Sequence, residues 1–178
     1  TASYNVALGV NTLRLNTTGS PNVAIGYNTV DANTTGTNNI GIGLEALRYN
    51  QTGGSNVAIG VDALEDNTVS NNTAVGHNSL KENTTGTRNT AVGTFALDAN
   101  TTASENSAFG YNALTDNTTG TYNTAIGREA LANNTTADSN TAVGNSALTT
   151  NITGASNTAV GSYALGNNIA SNNTSVGF

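Results

Sequence analysis

The chain has 178 residues, a formal net charge of −6 and no cysteine, and only 9% of its residues are charged, against about a quarter in typical domains. Five scattered basic residues form no stripe, which excludes a nucleic-acid surface, and the absence of any apolar run near ~20 residues excludes membrane insertion by a helix. Without cysteine there is neither a disulfide framework nor thiol chemistry. Disorder is not expected, because Val, Ile and Thr recur at a fixed interval.

An internal repeat covers the whole chain and predicts a single repeat domain, residues 1–178. The template is N-T-A-V-G-x-x-A-L-x-x-N-T-T-G-x-x, and we number its positions 1 to 17. Eight intervals between copies are 17 residues long and two are 16. The full copies begin at Asn5, Asn22, Asn39, Asn56, Asn72, Asn89, Asn106, Asn123, Asn140 and Asn157, and a partial copy begins at Asn173.

Each copy begins with a predicted strand. Positions 2 and 4 carry Thr, Val or Ile and alternate with a small residue at position 3, which is the period of a β-strand. Glycine follows at position 5 in every copy and recurs often at position 15, where corners with positive φ or close backbone approach are expected. The 16-residue copies lose a residue after position 12, which indicates a turn there. Seventeen residues are too few for a helical repeat.

The predicted fold class is all-β, a parallel β-solenoid (β-roll or β-helix) of about ten 17-residue coils with two or three short strands each. Stacked coils repeat every ~4.8 Å, so ten coils form a rod on the order of 50 Å long. We expect the apolar residues of positions 4 and 9 to form two columns inside the rod.

Asparagine occupies positions 1 and 12 of every full copy, and stacking predicts two structural ladders of hydrogen-bonded amides along the rod. The first ladder comprises Asn5, Asn22, Asn39, Asn56, Asn72, Asn89, Asn106, Asn123, Asn140 and Asn157. The second comprises Asn16, Asn33, Asn50, Asn67, Asn83, Asn100, Asn117, Asn134, Asn151 and Asn168.

The core of such a coil is thin, because each coil offers only two large apolar side chains, worth roughly 1.5–3 kcal/mol each when buried. The uniformly small third position suggests a strand face that something packs closely against. We therefore expect the chain to bind itself, as a homotrimer. Neither end shows a cap of different sequence, so an end-to-end filament is the other expected assembly.

Segments such as Asn56-Val-Ala-Ile-Gly60 and Asn140-Thr-Ala-Val-Gly144 resemble the head repeats of YadA-like trimeric autotransporter adhesins. The longer unit G-x-x-A-L-x-x-N-T-T-G is similar to repeats of phage tail-fibre proteins, and the resemblance covers residues 5–177. It implies a left-handed coil, a homotrimer, an extracellular place on a cell or virion surface, and a role as adhesin head or tail-fibre shaft. The implied partner is a host-surface glycan or protein receptor.

Convergent catalytic groups are not evident, so the chain is not expected to be an enzyme. The single histidine, His77, falls at the variable position 6 and is expected to be an exposed bystander. The acidic pairs Glu65 with Asp66 and Asp98 with Glu105 are expected on a solvated surface. We predict no catalytic, cofactor or metal site, because the Asp column of calcium-binding β-rolls is missing.

The N-T-T segment supports two further hypotheses. It creates possible glycan acceptors at Asn16, Asn33, Asn50, Asn83, Asn100, Asn117, Asn134 and Asn151. Its threonine rows also suggest an alternative function, a ligand-binding solenoid for ice or carbohydrate, although adjacent threonines in a strand would point to opposite sides. Aromatic residues at variable positions are weak candidates for partner contacts: Tyr27, Tyr49, Phe95, Tyr111 and Tyr163.

Overall fold

The computed structural model describes residues 3–178 and contains one short strand per coil. The strands are β1 (Val6–Val10), β2 (Asn22–Tyr27), β3 (Asn39–Ile42), β4 (Val57–Ile59), β5 (Thr73–Val75), β6 (Thr90–Val92), β7 (Ser107–Phe109), β8 (Thr124–Ile126), β9 (Thr141–Val143), β10 (Thr158–Val160) and β11 (Thr174–Val176).

All eleven strands form a single sheet in sequence order, and every neighbouring pair is parallel. Equivalent positions of successive copies face each other, as Thr73 faces Thr90 and Val75 faces Val92. The chain is therefore an all-β parallel β-solenoid of about ten coils of about 17 residues, as the repeat predicts. The expectation of two or three strands per coil is wrong, because the rest of each coil consists of turns.

The turns nevertheless continue the hydrogen bonding between coils. The amide of Leu47 donates to Ala63 O at 3.0 Å, and that of Leu64 donates to Ser79 O at 3.1 Å in the coil after it. Buried backbone groups need such partners, since an unpaired one costs about as much as a lost hydrogen bond. Axial hydrogen bonds therefore connect each coil to the next outside the sheet as well as within it.

The glycine of position 5 forms a corner of each coil, directly after β3 to β11 and within β1 and β2, which confirms the predicted corner. Its φ lies between +132° and +142° in all eleven copies, a region that side chains rarely adopt. A Cβ there would also overlap the carbonyl of the equivalent glycine in the next coil, as between Gly93 and Gly110. The position-15 glycines have no positive φ but approach the next coil's backbone closely, as Gly36 approaches Gly53.

The two 16-residue coils retain their geometry because the missing residue lies in the turn after position 12. Val69 and Ala170 take the place of the position-15 residue in these coils. Their carbonyls accept hydrogen bonds from Asn56 Nδ2 at 2.7 Å and from Asn157 Nδ2 at 2.8 Å. The predicted turn is confirmed there.

The core consists of small residues and one large residue per coil. Alanine at positions 3 and 8 and leucine at position 9 are almost completely buried in the central coils, as Ala91, Ala96 and Leu97 are. The expectation that position 4 lies inside is wrong: Ile59 and Ile126 remain 37% and 42% exposed. The sheet turns its small residues inward, because a coil with a single strand leaves little room between the sheet and the facing leucines.

Candidate functional site

The outer face of the sheet is the most extended uniform surface of the molecule. Positions 2 and 4 of each strand point outward while position 3 points inward, so two columns of side chains run along the rod. We call this surface the outer sheet face. Position 4 contributes Leu8, Ile25, Ile42, Ile59, Val75, Val92, Phe109, Ile126, Val143, Val160 and Val176, all apolar and none fully buried.

The second column divides the outer sheet face into two zones. In coils 1–4 position 2 is aliphatic, with Val6, Val23, Ile40 and Val57. From coil 5 onward it carries a hydroxyl group, contributed by Thr73, Thr90, Ser107, Thr124, Thr141, Thr158 and Thr174. Neither column contains a charged residue. A contiguous apolar surface of this kind marks an interaction site in soluble proteins.

The small third position therefore does not form a contact face with a partner. Ala74, Ala91 and Ala108 have no exposed surface and face the leucine column of their own coils. The surface that is open to a second molecule carries positions 2 and 4 instead.

The first asparagine column lies inside the rod and joins adjacent coils. The main-chain amide of Asn106 donates to Asn89 Oδ1 at 3.0 Å, and that of Asn123 donates to Asn106 Oδ1 at 2.9 Å. The Asn106 Nδ2 group donates within its own coil to Gly120 O at 2.8 Å. Each side chain thus satisfies both a strand amide and a turn carbonyl.

The second asparagine column forms a ladder of side-chain amides. Asn100 Nδ2 donates to Asn83 Oδ1 at 2.8 Å and to Ala103 O at 3.1 Å. Asn117 Nδ2 then donates to Asn100 Oδ1 at 3.2 Å. The Nδ2 groups of both columns donate hydrogen bonds to the same turn carbonyl. The two ladders therefore stabilise the conformation of the N-T-T-G turn.

This burial argues against glycans on the sequons. Attachment requires a free Nδ2 group, whereas seven of the eight residues have no exposed surface: Asn33, Asn50, Asn83, Asn100, Asn117, Asn134 and Asn151. Asn16, in the first coil, is partly buried and donates to Gly19 O at 3.0 Å. In the folded rod these asparagines are structural residues.

The first threonine of the N-T-T segment is engaged in hydrogen bonds of the fold. Thr17 Oγ1 donates to Thr34 O at 2.9 Å, and Thr84 Oγ1 donates to Thr101 O at 3.0 Å in the next coil. The equivalent bond recurs from Thr118 to Thr135 at 3.1 Å. The hydroxyls of position 13 therefore form hydrogen bonds along the rod axis. The threonines of position 14 are exposed, and a second outward column of hydroxyls lies at position 2.

His77 is exposed, and its ring packs edge-on against Phe95 with centroids 5.3 Å apart. Phe95 in turn meets Tyr111 edge-on at 6.3 Å. A platform that stacks on a sugar needs ring faces that lie side by side in one plane. Phe95 stands nearly perpendicular to both His77 and Tyr111, so neighbouring rings of this group do not lie in one plane.

One carboxylate of each predicted acidic pair forms an ion pair with a basic residue of another coil. Glu65 lies between Arg48 and Lys81, with oxygen–nitrogen distances of 3.8 and 3.6 Å. Glu105 pairs with Arg88 of the preceding coil at 2.7 Å. Asp98 is partly buried, and burial, followed by the charge of Glu82, raises the pKa of its carboxyl.

One carboxylate group within residues 3–178 has the spacing of a metal site. Oxygens of Glu45, Asp62 and Glu65 lie within 4.8 Å of one another. Arg48 pairs with Glu45 at 2.9 Å, and Lys81 lies 3.7 Å from Asp62. The two cations offset two of the three negative charges, and a metal ion would have to compete with them.

Sequence reasoning missed the residues that make the turns. Positions 7, 9 and 17 adopt left-handed backbone conformations, including the core leucines, for example Leu97 at φ +53°. Asn at position 7 in Asn11, Asn28 and Asn78 is a signal for this conformation, because asparagine tolerates it well. The leucine carries no such signal, since bulky residues rarely adopt it.

Comparison of the sequence with protein-family models, with curated proteins and with solved structures finds no match in any of the three. Across residues 3–178, the secondary structure includes no helix that could cross a membrane.

Proposed function

We propose that the chain is a structural and adhesive segment of an extracellular fibre, such as the head of a surface adhesin or the shaft of a tail fibre. The observation that carries the proposal is the outer sheet face, an uncharged surface with an apolar column along all eleven strands. A rod that exposes such a surface over its full length is suited to lateral association rather than to chemistry.

Copies of the chain associate through the outer sheet face in this proposal. The face carries no charge that association would have to desolvate, and the alanine columns behind it are fully buried and rigid. Phe109, 40% exposed, projects from the middle of the apolar column and would insert between side chains of a neighbouring copy. The resemblance to adhesin head repeats supplies the expected number of copies, three.

Within this proposal the fibre lies outside the cell or on a virion. Its receptor is a host-surface glycan or protein, which the variable side chains of positions 6, 7, 10 and 11 contact. These positions differ from coil to coil while the framework positions are constant. The chain has no catalytic role in this reading.

The test is the mass of the particle by light scattering, combined with negative-stain imaging. We expect a trimeric mass for the wild type, and a monomer for the double variant Ile59→Lys, Ile126→Lys, because each lysine places a charge on the outer sheet face. The matched control is Thr94→Lys, Asn145→Lys at position 6, which should remain trimeric. Filaments of wild-type protein would retain the fibre role but replace the trimer by end-to-end assembly.

A wild-type monomer with the same mass as the double lysine variant would contradict self-association. The second candidate, an ice-binding surface, would then be favoured by the straight column of half-exposed hydroxyls from Thr73 to Thr174 beside the aliphatic column. Thermal hysteresis distinguishes the two functions. Activity that disappears when Thr124 and Thr141 are replaced by lysine would establish ice binding, and its absence at high micromolar protein would exclude it.

A further inference from the structure

The residues at position 10 of the first six coils form a column of charges that alternate in sign. They are Arg14, Asp31, Arg48, Glu65, Lys81 and Asp98, one per coil, and we call them the position-10 charge column. Three of the five basic residues of the chain lie in it. In the next coils the same position holds uncharged residues, Thr115, Ala132, Thr149 and Gly166.

Three of the five neighbouring pairs in the column form ion pairs along the rod axis. Arg14 makes two hydrogen bonds to the Asp31 carboxylate, at 2.8 and 2.9 Å. Arg48 and Lys81 lie on either side of Glu65 at 3.8 and 3.6 Å. The side chain of Glu65 is only 12% exposed, so these attractions act in a partly desolvated environment.

The framework columns of the repeat distinguish few coils from one another. The columns of Asn, Gly, Ala and Leu carry the same residue in almost every copy. A chain that stacks coil 5 directly on coil 3, with coil 4 looped out, would align all of these columns as well as the native register does. Loop-closure entropy opposes such a skip only weakly, because each doubling of loop length costs about 0.6 kcal/mol.

We propose that the position-10 charge column specifies which coil stacks on which during folding. In the native register the charged neighbours of each residue in the column are opposite in sign. Looping out coil 2, 3, 4 or 5 instead places Arg14 against Arg48, Asp31 against Glu65, Arg48 against Lys81 or Glu65 against Asp98, respectively. Whichever of these coils is skipped, the new contact in the column is repulsive. Like charges in direct opposition destabilise a strand pair. Coils 7–10 then stack on coil 6, whose register is already determined, as expected of a one-dimensional repeat array.

The chain contains no cysteine, so paired cysteines can report the register of refolded protein. Ile40→Cys with Val57→Cys tests adjacent coils, whose Cα atoms are partners in the sheet. Ile40→Cys with Thr73→Cys tests a skip of coil 4. Residues two coils apart are separated by roughly 9–10 Å, beyond the reach of a disulfide, whereas adjacent coils at ~4.8 Å are within it.

Two variants of the column are compared with the wild type after refolding from denaturant and mild oxidation. The swapped variant Asp31→Arg, Arg48→Asp keeps composition and net charge but makes the coil 3 to coil 5 contact attractive. The neutral variant replaces all six residues by threonine, the residue of coils 7 and 9. Only disulfides in monomer-sized product on a non-reducing gel are counted, which removes cross-links between copies.

We expect the skip disulfide between positions 40 and 73 to be under a few per cent in the wild-type column. It should increase at least about fivefold in the neutral variant and further in the swapped variant, while adjacent cross-linking falls correspondingly. Refolding in 1 M salt, where the screening length is about 3 Å, should raise the wild-type value towards that of the neutral variant. Equal skip cross-linking in the wild-type and neutral columns would overturn the proposal, even if the swapped variant failed to fold.

Discussion

At the scale of single residues, the coil depends on backbone conformations that most side chains avoid. Thirty residues other than glycine have positive φ, and they recur at positions 7, 9 and 17. For a bulky L-residue this conformation costs roughly 1–2 kcal/mol. At position 9 it directs the leucine into the core, where burial returns about 1.5–3 kcal/mol. The strain and the burial are therefore coupled at one residue.

The corner glycines should be far less tolerant than the turn glycines. In Gly93→Ala the new Cβ would adopt φ +137° and overlap the Gly110 backbone, so we expect the unfolding free energy to fall by about 3 kcal/mol or more. Gly86→Ala is the control, because its Cβ would also meet the backbone of the next coil, at Ala103 O, but its φ is not positive. Alanine is native at the equivalent Ala103 and Ala137, so we expect a smaller loss of about 1–2 kcal/mol. Urea unfolding followed by circular dichroism measures both; equal losses would contradict the role of φ.

Asp98 should destabilise the fold at neutral pH. Burial and the neighbouring Glu82 raise the pKa of its carboxyl, so the folded chain holds this proton more tightly than the unfolded chain does. We expect Asp98→Asn to raise the melting temperature at pH 7 by roughly 1–3 °C. The gain should vanish as the pH falls below the ordinary Asp value of about 3.9, where both states are protonated.

Thermal melting at pH 7 and pH 3 tests this, with Asp116→Asn as the control because Asp116 is an exposed carboxylate at the next position of a neighbouring coil. A lower melting temperature of Asp98→Asn at pH 7 would show that attraction to Lys81 outweighs the burial of the carboxylate.

At the scale of one coil, the second and third coils contain a compensated exception to the repeat. Coil 2 carries Thr29 and Val30 where other coils mostly have Ala and Leu, and coil 3 carries Gly41 where others mostly have Ala. A Cβ on Gly41 would lie 2.6 Å from Val30 Cγ2 and 2.9 Å from Thr29 Cγ2. The branched side chains occupy the volume that the missing methyl group leaves free.

The three positions should therefore be energetically coupled. Gly41→Ala alone is expected to destabilise the rod by about 1–3 kcal/mol through overpacking. In the background Thr29→Ala, Val30→Leu, which restores the consensus, the same change should be neutral or stabilising, because the methyl group fills a space that the branched side chains no longer occupy. A double-mutant cycle from urea unfolding measures the coupling, and additive effects would contradict it.

At the scale of the whole molecule, stability is distributed along one axis. Each coil contacts only its neighbours, and hydrogen bonds of side-chain amides, hydroxyls and backbone groups connect successive coils along that axis. Such an array behaves as a one-dimensional chain of coupled units. A destabilising substitution in a central coil weakens the interfaces with two neighbouring coils, whereas one in the first coil weakens a single interface.

The effect of a substitution in the asparagine ladder should therefore depend on the position of its coil along the rod. Asn100→Ala removes three hydrogen bonds and leaves buried partners on Asn83 and Asn117, and we expect a loss of about 2–4 kcal/mol. Asn16→Ala, at the partly buried end of the same column, should cost about 1 kcal/mol. Hydrogen exchange would show whether protection in the central coils is lost only in the first variant. Equal effects of both substitutions would exclude the ladder as an axial support.

The sequence by itself determined the period, the place of the strand in each coil, the corner glycines and the turn that absorbs a deletion. Each follows from local chemistry: alternation marks a strand, and a position that is always glycine marks a backbone that excludes a side chain. The framework of the site, two asparagine columns at positions 1 and 12, could be located from the sequence in the same way.

Only the tertiary structure decided which face of the strand lies inward. The alternation along the strand shows that the side chains of Ala91 and Val92 point to opposite faces of the sheet, but it does not show which of them is buried. That choice depends on the width of the interior, which the left-handed turns around Leu97 set by bringing the leucine column close to the sheet. The narrow interior accepts alanine and places the larger aliphatic residues on the outer sheet face, where a partner can reach them.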